Sequence, residues 1–376
     1  MNIVLGISGG ALYALWKLLK YLFDNGYWAV AVVIIVIVVI YYWKKESDSV
    51  PSHLSHKKDS ESKNVEDNEI IAEVYKPENT PKQIIGCLSC GKTLKKDRYR
   101  IFSYISHGGF GNTYLAEDTL LNKYVAIKEL FVRDICAREL QTEDVKISIE
   151  TNRTTFEGLK KKFIKEAKRL QAFHCPNIIR VYDCFEENGT AYYSMDYIPG
   201  DSLASVLKQK SRLSEDYIRT LLPGLFNALS TVHNENIWHL DIKPANLMLR
   251  NSKSLVLIDF GASKQYEDKE GKTLTSSSAM AYTSGFAPPE QISNNTKNIG
   301  AWTDIYALGA TLFNLLTGSK PPQTDEIISE GLPLFPSDVS NEMVKAVTAM
   351  MQPNRNARPQ SINEVARLLS ISIYEQ

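Results

Sequence analysis

Asp241-Ile242-Lys243-Pro244-Ala245-Asn246, followed thirteen residues later by Asp259-Phe260-Gly261, is the stretch on which the reading of this chain turns. An acid, a lysine, an amide and a second acid in this order are the working parts of a phosphoryl-transfer site. Asp241 can orient or deprotonate an acceptor hydroxyl, while Asn246 and Asp259 can hold magnesium against nucleotide phosphates. A chance loop could carry one such run, but it would not be preceded and followed by the remaining parts in order.

Upstream, His107-Gly108-Gly109-Phe110-Gly111-Asn112-Thr113-Tyr114 joins two strand-like runs, 99–106 and 113–118. Glycines without Cβ let backbone N–H groups approach phosphate oxygens. Alone, such a loop is more often a structural turn. A third strand, 124–129, carries Val125-Ala126-Ile127-Lys128. A strand lysine is ordinarily an edge residue. In the next segment Phe163, Ala167 and Leu170 recur at helical spacing, leaving Glu166 beside that face, where it can pair with Lys128 over the α- and β-phosphates. A long polar insertion, 130–160, separates the two. Strands near 179–185 and 191–197 flank Glu187-Asn188-Gly189, a hairpin-like turn. After Gly200 the pattern turns helical, over 203–209, 215–235, 304–317, 341–351 and 362–369. The expected fold is α+β in two lobes, small and β-rich (98–197) then large and helical (198–372).

In identity, order and context these motifs resemble those of eukaryotic-type, bacterial-like serine/threonine protein kinases, over roughly 98–372. The resemblance implies ATP under the loop formed by Ser106, Gly108, Gly109, Phe110 and Gly111, with Ser106 in place of the first glycine. It implies Ala126 and Met195 around the adenine pocket, with Asp196 and Tyr197 offering backbone groups to the adenine edge. Lys128 and Glu166 look like the ion pair of the active state. Asp241 is then the catalytic acid and Lys243 stabilises the moving phosphoryl group. Asn246 and Asp259 take Mg²⁺, for which Mn²⁺ is the natural substitute. Leu240 stands where the family usually has an arginine that pairs with a phosphate on the activation loop, which weakens any claim that phosphorylation switches this chain on. Glu290, closing Phe286-Ala287-Pro288-Pro289-Glu290, is expected to pair with Arg358, and Asp304 to brace the catalytic loop. Lys243 together with Thr283 matches the serine/threonine branch. Thr273, Thr275, Ser276, Ser277 and Ser278 fit a solvated loop and an autophosphorylation segment about equally.

The other anomaly is N-terminal. The chain has 376 residues, 43 basic and 43 acidic, for a formal net charge of +0, which argues against a global nucleic-acid binder. Residues 27–43 are uncharged, rich in Val and Ile, with Trp28 at one end and Tyr41, Tyr42 and Trp43 at the other. At about 1.5 Å per residue such a run approaches the roughly 30 Å hydrocarbon core, and it is too long for a buried strand. It is therefore expected to be a single transmembrane helix. Lys44 and Lys45 favour a cytoplasmic C-terminal side, although Lys17 and Lys20 on the other side dilute that signal. Segment 1–26 suits a short interfacial helix, and 44–97 a disordered linker ending in a Cys87-Leu88-Ser89-Cys90-Gly91 knuckle. That knuckle is half of a zinc ribbon, but no second pair follows, so a plain turn is favoured over zinc. The expected partners are ATP, proteins bearing Ser or Thr hydroxyls, this chain itself among them, and the lipid bilayer. A homodimer through the span or the knuckle is left open. The competing function is a weakly catalytic pseudokinase scaffold tethered to the membrane; retention of Lys128, Asp241 and Asp259 disfavours it.

Overall fold

The computed structural model describes residues 85–108, 111–251, 254–260, 282–293 and 298–372. The expected span, interfacial helix and most of the linker lie outside these residues, as do Gly109, Phe110 and the hydroxyl run 273–278. Among the described residues no helix is long and apolar enough to cross a membrane.

The small lobe is a six-stranded antiparallel sheet in the order β1-β2-β3-β4-β8-β7. Its strands are β1 (Thr93–Leu94), β2 (Tyr99–Gly108), β3 (Gly111–Asp118), β4 (Lys123–Leu130), β7 (Val181–Glu187) and β8 (Thr190–Asp196). Tyr99, Ile101, Tyr114, Val125, Ile127 and Tyr192 from four of these strands meet in one buried cluster. Helix α1 (Arg153–Ala172) packs across the sheet with Phe163, Ala167 and Leu170 buried, and the Phe163 ring lies 4.9 Å from that of Tyr193.

One expectation is corrected here. The ordered unit begins upstream of residue 98, because β1 pairs with β2 and Cys87 and Leu88 are buried in the same cluster as Tyr114. The apolar contacts of the knuckle, invisible in a polar local composition, tie it to the sheet. The polar insertion 130–160 carries regular structure. It holds a short hairpin, β5 (Cys136–Arg138) with β6 (Val145–Ile147), and the first turns of α1.

The large lobe gathers α2 (Leu203–Lys210), α3 (Glu215–Asn234), α5 (Ala301–Thr317), α7 (Asn341–Met350) and α8 (Ile362–Leu368). The short helices α4 (Pro289–Ile292) and α6 (Thr324–Glu330), and the hairpin β9 (Leu247–Asn251) with β10 (Ser254–Leu257), complete it. Serine side chains cap four of these helices: Ser202, Ser214, Ser340 and Ser361 each accept from a backbone N–H in the first turn. Helix α5 is buried along nearly its whole length, so it forms the axis of the lobe. The catalytic motif lies between α3 and β9, and Asp259 directly after β10.

Candidate active site

The segment 239–246 is held from below by a buried carboxylate. Asp304, in the first turn of α5 and fully buried, accepts from the backbone N–H of His239 at 2.8 Å and of Leu240 at 2.7 Å. It also accepts from His233 Nε2 at 2.8 Å. Burial pushes the Asp304 carboxyl up, but the donors outweigh it and hold it below the usual carboxylate range. This anchoring matters because Leu240 sits at φ +64°, a conformation that a branched side chain resists. Gln291 adds a bond from Nε2 to the Leu240 carbonyl at 2.7 Å.

His239 is the other support. Its Nε2 donates to the Ile258 carbonyl at 3.0 Å, and its Nδ1 accepts from the Asp241 amide at 3.3 Å. Its ring stands edge-on to Phe260 at 4.6 Å. The histidine thus links the Asp241 and Asp259 segments. Neither His233 nor Gln291 was singled out from the sequence. Gln291 follows Glu290 directly, yet nothing in that adjacency says where its amide points.

With the backbone fixed, three side chains converge on one carboxylate. Asp241 Oδ2 lies 2.8 Å from Lys243 Nζ and 2.9 Å from Asn246 Nδ2. Asp241 Oδ1 accepts from Thr283 Oγ1 at 3.0 Å, and Thr283 Oγ1 accepts in turn from Lys243 Nζ at 3.0 Å. Asn246 Nδ2 also donates to the Asp241 carbonyl at 2.8 Å. With both amide hydrogens directed at Asp241, the Asn246 carboxamide oxygen faces elsewhere. The Asn246 carbonyl accepts from the Ile258 amide at 3.0 Å, which brings Asp259 alongside. An amide oxygen and a carboxylate are hard oxygen donors of the kind Mg²⁺ takes, so these residues fit that ion. Among the described residues no group of three His, Cys, Asp or Glu could hold a metal, so Cys87 and Cys90 have no zinc set; Cys87 is buried and Cys90 exposed.

On the small-lobe side, Lys128 reaches across to Asp259, with Nζ 2.5 Å from Oδ1. This differs from the expected ion pair: the partner of Lys128 is Asp259 rather than Glu166. Glu166 is buried beside it and accepts from Tyr193 at 3.5 Å. Burial alone would pull the Lys128 ammonium down; Asp259, Tyr193 and Glu166 together reverse this and hold it well above the usual lysine range. The physical reason is proximity. Asp259, at φ +60°, turns its carboxylate toward β4 and supplies the stronger field.

The glycines divide by role. A Cβ on Gly111 would sit 1.7 Å from the Glu129 carbonyl oxygen, so this position serves close packing of β3 on β4. A Cβ on Gly108 would lie 3.9 Å from Asp259 Oδ2, so Gly108 roofs the acidic end of the cleft. Ser106 is exposed on β2, across from Thr113. Ala126 is buried on β4 opposite Met195, and Val125 is opposite Asp196. The Asp196 amide is committed to the Arg180 carbonyl at 2.9 Å, and its carboxylate to Tyr182 and Arg250. That expectation therefore narrows: the Asp196 N–H is not available to a base edge. Tyr197 lies in the link between β8 and α2.

Glu290 in α4 and Arg358 form a buried pair, with Nη1 2.7 Å from Oε1 and Nη2 3.2 Å from Oε2. Thr303 Oγ1 donates to the same carboxylate at 3.1 Å. The pair fixes the end of the 283–290 segment against the base of α5.

The family model for the protein kinase domain matches residues 99–368 of this chain. Serine/threonine-protein kinase B of Synechocystis sp. is 31% identical over 311 residues, covering 80% of this chain and 51% of that protein. Serine/threonine-protein kinase PknA of Nostoc sp. is 32% identical over 251 residues, covering 62% and 41%. The solved structure described as the PpkA-294 apo form aligns with a TM-score of 0.66 at 33% identity, covering 76% of this chain and 99% of that one. The chain spans about half, or less, of the length of these curated relatives.

Proposed function

This chain belongs to the protein kinase domain family, and from that premise we propose that it transfers the ATP γ-phosphate to Ser and Thr hydroxyls of proteins, itself among them. The observation that carries the proposal is the Asp241 carboxylate held between Lys243, Asn246 and Thr283. An acceptor hydroxyl placed at that carboxylate has its proton directed to Asp241 while its oxygen attacks the γ-phosphorus. The bond to the β-phosphate oxygen breaks and ADP leaves. Lys243, adjacent to the acid, neutralises charge on the transferring group. Mg²⁺ held by Asn246 and Asp259 would screen the phosphates, and Lys128 lies where it can reach them once Asp259 turns to the ion. Phosphoryl transfer depends almost wholly on such positioning and electrostatics. Asp241→Asn is expected to leave nucleotide binding intact and to lower phosphate incorporation into a mixed Ser/Thr peptide pool by at least about a thousandfold. Equal incorporation by both proteins would end this reading.

The same proposal places the catalytic unit on the cytoplasmic side of a membrane. What supports it is the uncharged, aromatic-ended run 27–43 with Lys44 and Lys45 directly after it. A protease-sensitive tag after Gln376 is expected to be protected in intact cells and cut after permeabilisation. Cleavage in intact cells would reverse the topology.

A further inference from the structure

A groove lies beside the site. It has a volume of about 550 Å³ and lies between α2 and the 243–245 stretch. Ala204 and Leu207 of α2 form one wall, Pro244, Ala245 and Phe286 the other, and Lys208 stands on the rim. Its back is closed by main chain: Gly318 has φ +73°, and a Cβ there would come within 2.2 Å of the Ser211 carbonyl oxygen. Lys243 also lines it, and Lys243 bonds Asp241, so the groove opens at the catalytic acid.

The charged side chains among its described lining residues are both lysines, Lys208 and Lys243. Among the described residues, none that lines it carries a carboxylate. Asp201, the acid nearest to α2 in sequence, is not among them, and the Asp241 carboxylate is taken up by Lys243, Asn246 and Thr283. Lys208 is exposed and has no ion-pair partner among the described residues. Lys210, in the same last turn of α2, is exposed as well. A substrate segment with an apolar side chain could bury it against Leu207 and Phe286. A carboxylate next to it would meet an ammonium, whereas a lysine or arginine there would meet only like charge.

We propose that this groove is a specificity site for the substrate protein, selecting acceptor segments with apolar and acidic flanks and rejecting basic ones. This rests on the phosphotransferase reading above and goes further by naming the substrate class. Lys208 is the discriminating residue, and it acts on the choice of peptide rather than on the chemistry.

The test uses the full chain with matched peptides that share one Ser acceptor and differ only in flanks, Leu/Glu against Leu/Lys. The acidic set is expected to be favoured in kcat/KM by about tenfold, the size of one well-placed charge contact. Lys208→Glu is expected to invert that preference while leaving the KM for ATP unchanged; Lys208→Ala is expected to flatten it. Transfer to both peptide sets without preference, or a basic preference in the wild type, overturns the proposal. So does a Lys208→Glu protein with the wild-type ratio. Nucleotide binding without transfer to any peptide overturns the underlying phosphotransferase reading instead, and the specificity site with it.

Discussion

Among the described residues each lobe contains one buried arginine–glutamate pair, and the two differ in what else surrounds the carboxylate. In the large lobe Arg358 carries the burden: besides Glu290 it donates to the carbonyls of Gln352 at 2.6 Å, Pro353 at 2.9 Å and Trp302 at 3.2 Å. Glu290 has one further donor, Thr303. In the small lobe the carboxylate is the hub. Glu129 takes Arg138 Nη2 at 2.5 Å, Tyr114 at 2.7 Å, Tyr192 at 2.8 Å and Asn112 Nδ2 at 3.1 Å. Arg138 spends its other donors on the carbonyls of Gly86 at 3.1 Å and Glu143 at 2.7 Å. The first pair pins the 283–290 segment beneath the acceptor site. The second staples the knuckle and the β5–β6 hairpin to the sheet. Similar chemistry thus serves substrate geometry in one lobe and the chain's own additions in the other.

Removing the arginines breaks this comparison most sharply. Arg358→Ala leaves Glu290 buried with a single hydroxyl, and is expected to cost about 3–5 kcal/mol, the usual penalty for orphaning a buried charge. Arg138→Ala leaves Glu129 with three donors, so about 1.5–3 kcal/mol is expected. Denaturant midpoints of the two variants measure the order. If Arg138→Ala proves the more damaging, the hydroxyl network does not compensate the Glu129 charge and the contrast fails. Burial of Arg138 would lower its pKa, but Glu129 reverses this and holds it above the usual arginine value.

The large-lobe pair was legible in the sequence because both partners sit in motifs, Glu290 after Pro-Pro and Arg358 before Pro359. The small-lobe pair was not. Glu129 follows Lys128 and reads as a strand residue pointing away from it, and Arg138 lies in a polar stretch that resembles loop. Only the folded sheet brings them together with Tyr114 and Tyr192, from strands far apart in sequence. The same limit explains Lys128: its motif and that of Glu166 were readable, but the choice between Glu166 and Asp259 depends on the φ of Asp259, which no pattern encodes. The positions of β2, β3, β4, β7, β8 and the long helices of the large lobe followed from alternation and helical spacing, with ends shifted by at most three residues, whereas α1 starts ten residues before the run 163–170 and β9, β10, α4 and α6 were not read. The packing of the knuckle on the sheet and the β5–β6 hairpin were missed because their anchoring is tertiary. The run 27–43 and the hydroxyl segment 273–278 fall outside the described residues.

A smaller effect sharpens the contrast through pH, because Asp304 and the Tyr114–Tyr192 pair are expected to lose their contributions at opposite ends of the scale. Asp304 has a depressed carboxyl pKa in the folded protein. Its contribution is present above the unfolded value of about 3.9 and is lost as pH falls below that toward the folded value. Tyr114 and Tyr192 behave oppositely. Burial, and then the neighbouring Glu129 charge, raise both phenols well above the usual tyrosine range. Above the unfolded value of about 10 the denatured chain therefore holds fewer protons than the folded one, and stability falls as pH climbs. Each group changes stability by at most about 1.4 kcal/mol per pH unit. Trp238 and Trp302 both lie in the large lobe, so with Trp16, Trp28 and Trp43 replaced by Phe their fluorescence reports the acid limb, and tyrosinate absorbance reports the alkaline one. Asp304→Asn is expected to remove the slope of the tryptophan signal below pH about 4 and leave the tyrosinate onset where it was. A variant that shifted both limbs together would show the two lobes unfolding as one unit, with no separate anchoring of either.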